Sequence, residues 1–174
     1  GWAISNEAWW ESLQETVSYF KVRYTDGLVG TDAVTGRRFM YLDQMASVDG
    51  YRFGDQNNGV GGWGFSKYGA NVGWSTSRKQ DLGVDLKFFK DNLSLTLDIF
   101  KEHRKDIFIT RRVIPDYSGF VEMPYANLGV VDNKGFEATL EYTQQLGKKS
   151  FLTVRGNFSW NEDEIVENDD PRVQ

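Results

Sequence analysis

The chain has 174 residues, a net charge of −5, 18 glycines, 3 prolines, no cysteine and 15% aromatic side chains. That length permits one domain with its own interior, and the lack of cysteine excludes disulfide staples and thiolate metal sites. The acidic balance, with Lys and Arg nowhere clustered, argues against nucleic acid as a partner. Many aromatics and glycines beside few prolines favour strands and tight turns. No apolar run approaches the ~20 residues of a membrane helix. The mean hydropathy is that of a soluble protein, but half of every barrel strand is polar, so it does not exclude a membrane barrel. No signal peptide is visible, and the abrupt start at Gly1-Trp2-Ala3-Ile4 and end at Asp170 to Gln174 suggest an excerpt of a longer chain.

Residues 1–4 read as the end of a strand. Residues 5–15 then suggest a short helix, with Ser5 or Asn6 as cap and acids in the first turn. Residues 18–25 alternate, Phe20, Val22 and Tyr24 against Lys21, Arg23 and Thr25, which predicts a strand. From Gly27 to about Val72 the sequence is irregular and full of turn signals, with a short hairpin possible between 38–42 and 51–53. The glycine-dense stretch 59–65 lacks the Lys-Ser/Thr ending of a phosphate loop and reads as a plain loop, so no cofactor is expected.

A second strand is predicted over 79–89, with Leu82, Val84, Leu86 and Phe88 on one face and Asp85 and Lys87 on the other. Lys90-Asp91 makes a two-residue turn, and Leu93, Leu95, Leu97 and Ile99 continue the apolar face opposite Ser94, Thr96, Asp98 and Glu102. Residues 105–133 read as another long loop. The last hairpin spans 135–160. Phe136, Ala138, Leu140 and Tyr142, then Leu152, Val154, Gly156, Phe158 and Trp160, alternate with charged and polar residues.

The connections therefore alternate between long and short, so an up-and-down sheet gathers its long loops at one end. Aromatics sit near both strand ends: Phe20, Phe88, Phe89, Tyr142 and Phe151 at the short turns, Tyr24, Phe100, Phe136, Phe158 and Trp160 at the long loops. Aliphatic residues lie between them. Two aromatic bands around an aliphatic one, on strands of ~9–11 residues, match the outer face of a membrane barrel. Phe89, Phe100 and Phe151 fall on the polar face and break the pattern.

Several stretches resemble the SusC/RagA family of TonB-dependent outer-membrane transporters. They are residues 1–7, 20–30 and 95–102, and above all Pro124-Tyr125-Ala126-Asn127-Leu128-Gly129 with Asn133-Lys134-Gly135-Phe136-Glu137. The resemblance implies an all-β antiparallel up-and-down transmembrane barrel with long extracellular loops and short periplasmic turns. Residues 1–174 would supply about six strands of a larger barrel of ~22, without its plug domain or remaining strands. It further implies an importer of glycan fragments or peptides in a Gram-negative outer membrane, powered through TonB and lidded by a SusD-like lipoprotein. The chain departs from the family at Trp74-Ser75, where Trp-Glu is common.

The charges that such a barrel turns toward its lumen are Lys21, Arg23, Asp85, Lys87, Asp98, Glu137, Glu141 and Arg155, forming either a substrate path or simply a solvated, cross-paired wall. The loop aromatics Trp63, Phe65, Tyr68, Tyr117 and Phe120 are candidate ligand contacts, although loop aromatics often pack only their own loop. An enzyme is not expected: Glu137 and Glu141 sit i, i+4 on a strand, ~13 Å apart, beyond the ~6.5–9.5 Å of an inverting glycosidase pair. His103 reads as a loop-edge residue with no catalytic partner, and the acidic tail from Glu162 lacks calcium-loop spacing. The competing reading is a soluble β-sandwich carbohydrate-binding module, whose apolar faces would pack against each other.

Overall fold

The computed structural model describes residues 1–32, 38–48, 54, 61–118, 120, 122–147 and 149–170. Its strands are β1 (Trp2–Ala3), β2 (Val17–Thr31), β3 (Gln44–Val48), β4 (Gly62–Lys67), β5 (Ser75–Phe88), β6 (Leu93–Thr110), β7 (Tyr125–Gln145) and β8 (Phe151–Glu167). Six of them form one antiparallel sheet in the order β1-β2-β5-β6-β7-β8, and β3 pairs with β4. The predicted all-β barrel wall is therefore present, with sequence neighbours adjacent in space apart from the inserted hairpin. By internal packing the chain divides into two units. Gly1–Val29, Ser77–His103 and Asp132–Glu164 form the first, and Gly30–Thr76, Arg104–Val131 and Ile165–Gln174 form the second.

In the first unit the sheet has one apolar and one polar face. Ala70 is the one buried apolar side chain among the described residues of the whole chain, and it lies in the second unit. Leu97, Ile99, Leu140, Leu152, Val154 and Phe158 are all substantially exposed. A soluble domain of this size buries its large apolar side chains, and this sheet buries none. An exposed apolar face opposite a charged one is the pattern of a membrane-barrel wall.

The strand pairings obey the alternation. Trp2 faces Val22 across β1 and β2. Across β7 and β8, Ser159 donates to Glu137, Arg155 reaches Glu141, and the hydroxyls of Thr143 and Thr153 meet at 3.1 Å. All three pairs satisfy one register, joining odd to odd positions. Arg155 thus faces Glu141 directly. At the β5–β6 turn, Lys90 and Asp91 adopt φ of 58° and 69°, and the Asn92 N–H donates to the Phe89 carbonyl at 3.4 Å. Phe89 is left-handed as well, with φ 54°, and the strands stop at Phe88 and Leu93, so the connection is 89–92 rather than the two residues expected; its even length keeps the expected parity of the two faces. Ser18 Oγ holds the Asp91 carboxylate at 2.7 Å.

Three further expectations are corrected. Residues 5–15 form no α-helix but two 3-10 helices, Ile4–Asn6 and Ala8–Leu13, neither with a side-chain cap. Ser5 is buried instead of capping, and Trp10 packs on Phe20 at 5.4 Å while its indole N–H bonds the Val17 carbonyl. The supposed loop 105–133 shrinks to the connection 111–124, because β6 runs to Thr110 and β7 starts at Tyr125. Strands of 14 to 21 residues accordingly exceed the membrane-crossing length.

The third correction concerns the hairpin within the long connection, in the second unit. It joins β3 to β4, with Met45 opposite Phe65 and Ser47 opposite Trp63. Residues 38–42 are a turn, where Leu42 N–H bonds the Phe39 carbonyl, and 51–53 lie outside the described residues. The glycines of β4 suit a strand because the Val48 side chain lies over them: a Cβ on Gly64 would come within 3.1 Å of Val48 Cγ1.

Candidate functional site

The polar face of the first unit carries linked charges. Arg23 on β2 donates from Nε to Asp85 on β5 at 2.9 Å and from Nη2 to Asp98 on β6 at 2.8 Å. Its guanidinium crosses three adjacent strands and is held by a carboxylate on either side, a half-buried arrangement stronger than a free surface pair. Gly83 makes room for it, since a Cβ there would lie 2.4 Å from Asp98 Oδ1 and 2.6 Å from Arg23 Nη2.

A second cluster forms where Ser77, 5% exposed, donates to Glu102 Oε1 at 2.6 Å and Lys79 approaches Glu102 Oε2 at 3.7 Å. Further along, Glu141 meets Arg155 at 3.6 Å. Lys87 lies 4.0 Å from Asp91 and 5.8 Å from the Tyr19 ring centroid, and the Lys21 stem passes beside Gly1. The structure thus gathers Arg23, Asp85 and Asp98 into one cluster, pairs Glu141 with Arg155, and leaves the other candidates spaced along the wall. Each carboxylate in these clusters is matched by a cation or hydroxyl.

Two aromatics that break the face pattern are accounted for. Phe100 lies over Gly135: a Cβ on that glycine would come within 2.6 Å of Phe100 Cζ and 2.4 Å of the Trp160 carbonyl. A ring laid over a strand glycine covers backbone that would otherwise be bare. Phe89 sits in the hairpin turn. On the apolar face Phe136, Phe158 and Trp160 form a cluster with centroids 5.4 and 6.0 Å apart, the aromatic band at the long-loop end.

His103 is not at a loop edge. It stands within β6 and its Nδ1 contacts the Asp132 carboxylate of β7. The acidic tail begins inside a strand, since β8 extends to Glu167, and there Lys134 pairs with Glu162 at 3.2 Å. Among the described residues no group of three or more acidic or histidine side chains could hold a metal ion.

Of the five aromatic candidates, all in the second unit, three come together. Tyr68 meets Phe120 edge-on at 4.5 Å and Phe65 at 5.5 Å. Trp63 and Tyr117 stand apart, 75% and 91% exposed. Trp63 and Phe65 belong to β4 rather than to a loop. Beside Tyr68 lies a small cavity of about 40 Å³ lined also by Phe39, Met40, Leu42 and Met123.

Two anchors of this unit escape sequence reasoning. Asn127 acts as a substitute backbone: its Oδ1 accepts the Gly73 N–H at 2.9 Å, and its Nδ2 donates to the carbonyls of Gly73 and Asp106 at 2.9 and 2.7 Å. Asp169 takes the Arg112 N–H at 2.8 Å and Arg111 Nε at 3.0 Å. That backbone N–H, helped by Arg111, holds the Asp169 carboxyl below its ordinary pKa. The motif around Asn127 offered a signal, whereas Asp169 offered none.

Comparison with known proteins agrees with the wall geometry. The family described as TonB dependent receptor-like, beta-barrel matches residues 41–173. TonB-dependent receptor P39 of Formosa agariphila is 28% identical over 96% of this chain, and TonB-dependent receptor P3 of the same organism is 28% identical over 87%. The chain spans 15% and 14% of their lengths. Among solved structures, the RagAB peptide importer in its closed-closed and open-open states superposes with TM-scores of 0.74 and 0.75 at 21% and 22% identity. Those matches cover 96% and 94% of this chain and 17% of each RagAB chain. The chain belongs to the TonB-dependent receptor β-barrel family, and the SusC/RagA resemblance read from its sequence stands.

Proposed function

We propose that residues 1–174 lie wholly in the barrel domain of an outer-membrane importer that takes up oligosaccharides or peptides with TonB-derived energy. The observation that carries this is the two-faced sheet, with Leu97, Leu140 and Val154 exposed on one side and the Arg23–Asp85–Asp98 cluster on the other. The apolar face meets lipid. Opposite it, the polar face lines the import path, where its charges keep the lumen wet and contact substrate or plug. No step of bond-making is assigned to it; its carboxylates are engaged by Arg23, Lys79, Ser159 and Arg155, so the wall works by electrostatics and shape rather than as an enzyme.

The long connections carry the aromatic rings, and Phe65, Tyr68 and Phe120 offer flat apolar surfaces to a sugar ring or peptide side chain, beneath a SusD-like lipoprotein lid. A β-sandwich module is the weaker reading, since it would bury the apolar faces that this sheet leaves open. The test is uptake by Gram-negative cells carrying the full receptor, offered labelled oligosaccharides and peptides in turn. Uptake of one class that stops on loss of TonB supports the reading, and TonB-independent uptake or none overturns it.

A further inference from the structure

In the second unit the cavity of about 40 Å³ collects residues of three segments: the turn 38–42, the end of β4 and the connection 111–124. The Ala70 N–H donates to the Met40 carbonyl at 2.8 Å, and the Gly69 N–H donates to Asp43 Oδ1 at 2.7 Å. Only glycine suits position 69, because a Cβ there would lie 2.6 Å from the Tyr41 carbonyl oxygen. This close docking of the turn on residues 69 and 70 brings Arg38 and Lys67 to one cavity. In the connection, the Arg111 N–H closes the neck on the Pro124 carbonyl at 2.8 Å, and Phe120 rests on Tyr68. That sets Glu122 and Met123 in the same lining as Met40 and Leu42.

The charged members of this lining are Arg38, Lys67 and Glu122, two cations to one carboxylate. Neither the Arg38 guanidinium nor the Lys67 ammonium has an ionic or hydrogen-bonding partner among the described residues. Lys67 is half-buried, and a partly desolvated cation without a counter-ion is unfavourable. We propose that Arg38 and Lys67 bind a uronate carboxylate of an acidic oligosaccharide, an inference that rests on the importer reading and names the class of its substrate. Space decides how much of the ligand enters. About 10–15 Å³ admits one water, so this cavity takes a few waters or one carboxylate, and no pyranose ring. The ring stays at the mouth, beside the aromatic pair of Tyr68 and Phe120. A guanidinium fork matches a flat carboxylate, and the single surplus positive charge that Glu122 leaves suits a monoanion better than a phosphate dianion. In a uronate the carboxyl group is fixed directly on the sugar ring, so the ionic and the aromatic contact reinforce each other. The terminal carboxylate of a peptide brings no ring in that fixed place.

The experiment is isothermal titration of the full receptor in detergent with trigalacturonate, with the same trisaccharide methyl-esterified at every carboxyl, and with trialanine. We expect the acid to bind about tenfold or more tightly than the ester, and trialanine not to bind. Arg38→Gln together with Lys67→Gln should bring the affinity for the acid down to that of the ester and leave the ester unaffected, a pattern that a misfolded receptor would not show. Lys67→Arg keeps the charge and should keep the preference for the acid. Lys90→Gln, in the short β5–β6 turn, should leave both affinities unchanged. Heat-modifiable electrophoretic mobility reports barrel folding in the same samples. Equal binding of acid and ester, an acid preference that survives the double substitution, trialanine bound as tightly as the acid, or no binding of any of the three overturns the proposal. Uptake separates this failure from that of the reading beneath it. A receptor that binds no uronate yet imports neutral oligosaccharides or peptides with TonB refutes this site alone, whereas no TonB-dependent uptake of any class refutes the importer itself.

Discussion

Arg23 lies flat across Gly83, and the missing side chain of that glycine is what lets its guanidinium reach Asp85 and Asp98 together. Glycine in mid-strand ordinarily costs about 0.5–1 kcal/mol relative to alanine. Here the cluster above it reverses the sign. Gly83→Ala should destabilise the folded receptor by about 1–3 kcal/mol, as overpacking does. The same substitution in an Arg23→Ala, Asp98→Ala background should be close to neutral, because both side chains that the added Cβ would meet are then gone. Urea unfolding of both pairs measures the coupling, and an equal cost in the two backgrounds would refute the role given to Gly83.

The two faces of the sheet make the next prediction. Leu97→Arg and Val154→Arg place a cation against lipid and should each cost about 2–4 kcal/mol if they lie near the midplane. Thr96→Arg, one residue along β6 and on the polar face, should be tolerated. Folding yield into lipid vesicles separates these outcomes, and equal tolerance of all three would contradict the assignment of faces.

How far the sequence reveals this structure depends on whether side chains alternate. From Phe136 to Thr143 they do, and that strand and its polar stripe are legible. Beyond Glu102 they do not: Asp106 turns to φ 58° in mid-strand and shifts the parity of residues 107–110, so the pattern stops short of the true end of β6. In β4 the glycines hide a strand because Gly62 and Gly64 leave no side chain to alternate with Trp63 and Phe65. The Arg23 cluster needs the relative register of three strands, two of them separated by a long connection, and no local pattern carries that. The individual charges are legible; their meeting is not.

Asn127 commits both of its amide hydrogens and one lone pair of Oδ1 to backbone groups of Gly73 and Asp106. Asn127→Asp keeps the shape but sets a carboxylate against two carbonyls, and leaving those acceptors unmet should cost about 1–3 kcal/mol. Hydrogen exchange should speed up at residues 73–76 and 104–110 in the variant while residues 137–143 stay unchanged. Uniform acceleration over the whole chain would mean that the bond network is not local.

Asp169 gives a pH dependence whose sign is fixed. The Arg112 N–H and then the Arg111 guanidinium and Val113 N–H bind its ionised form, so its folded pKa lies below the unfolded value. Such a group stabilises the folded state fully above the unfolded pKa of about 3.9, and loses that contribution as pH falls through the folded pKa. With its side chain 12% exposed, the carboxylate is screened less than a surface pair. The connection 111–124 should therefore be as protease-resistant at pH 6 as at pH 8 and should become susceptible only below about pH 4. Asp169→Asn should show the acid-form susceptibility at every pH, because a neutral amide cannot accept the same charge-assisted bonds. Limited proteolysis across pH 3 to 8, using a protease active at both ends of that range, decides it. A midpoint near neutrality, or a pH response that survives in Asp169→Asn, would place the switch on another group.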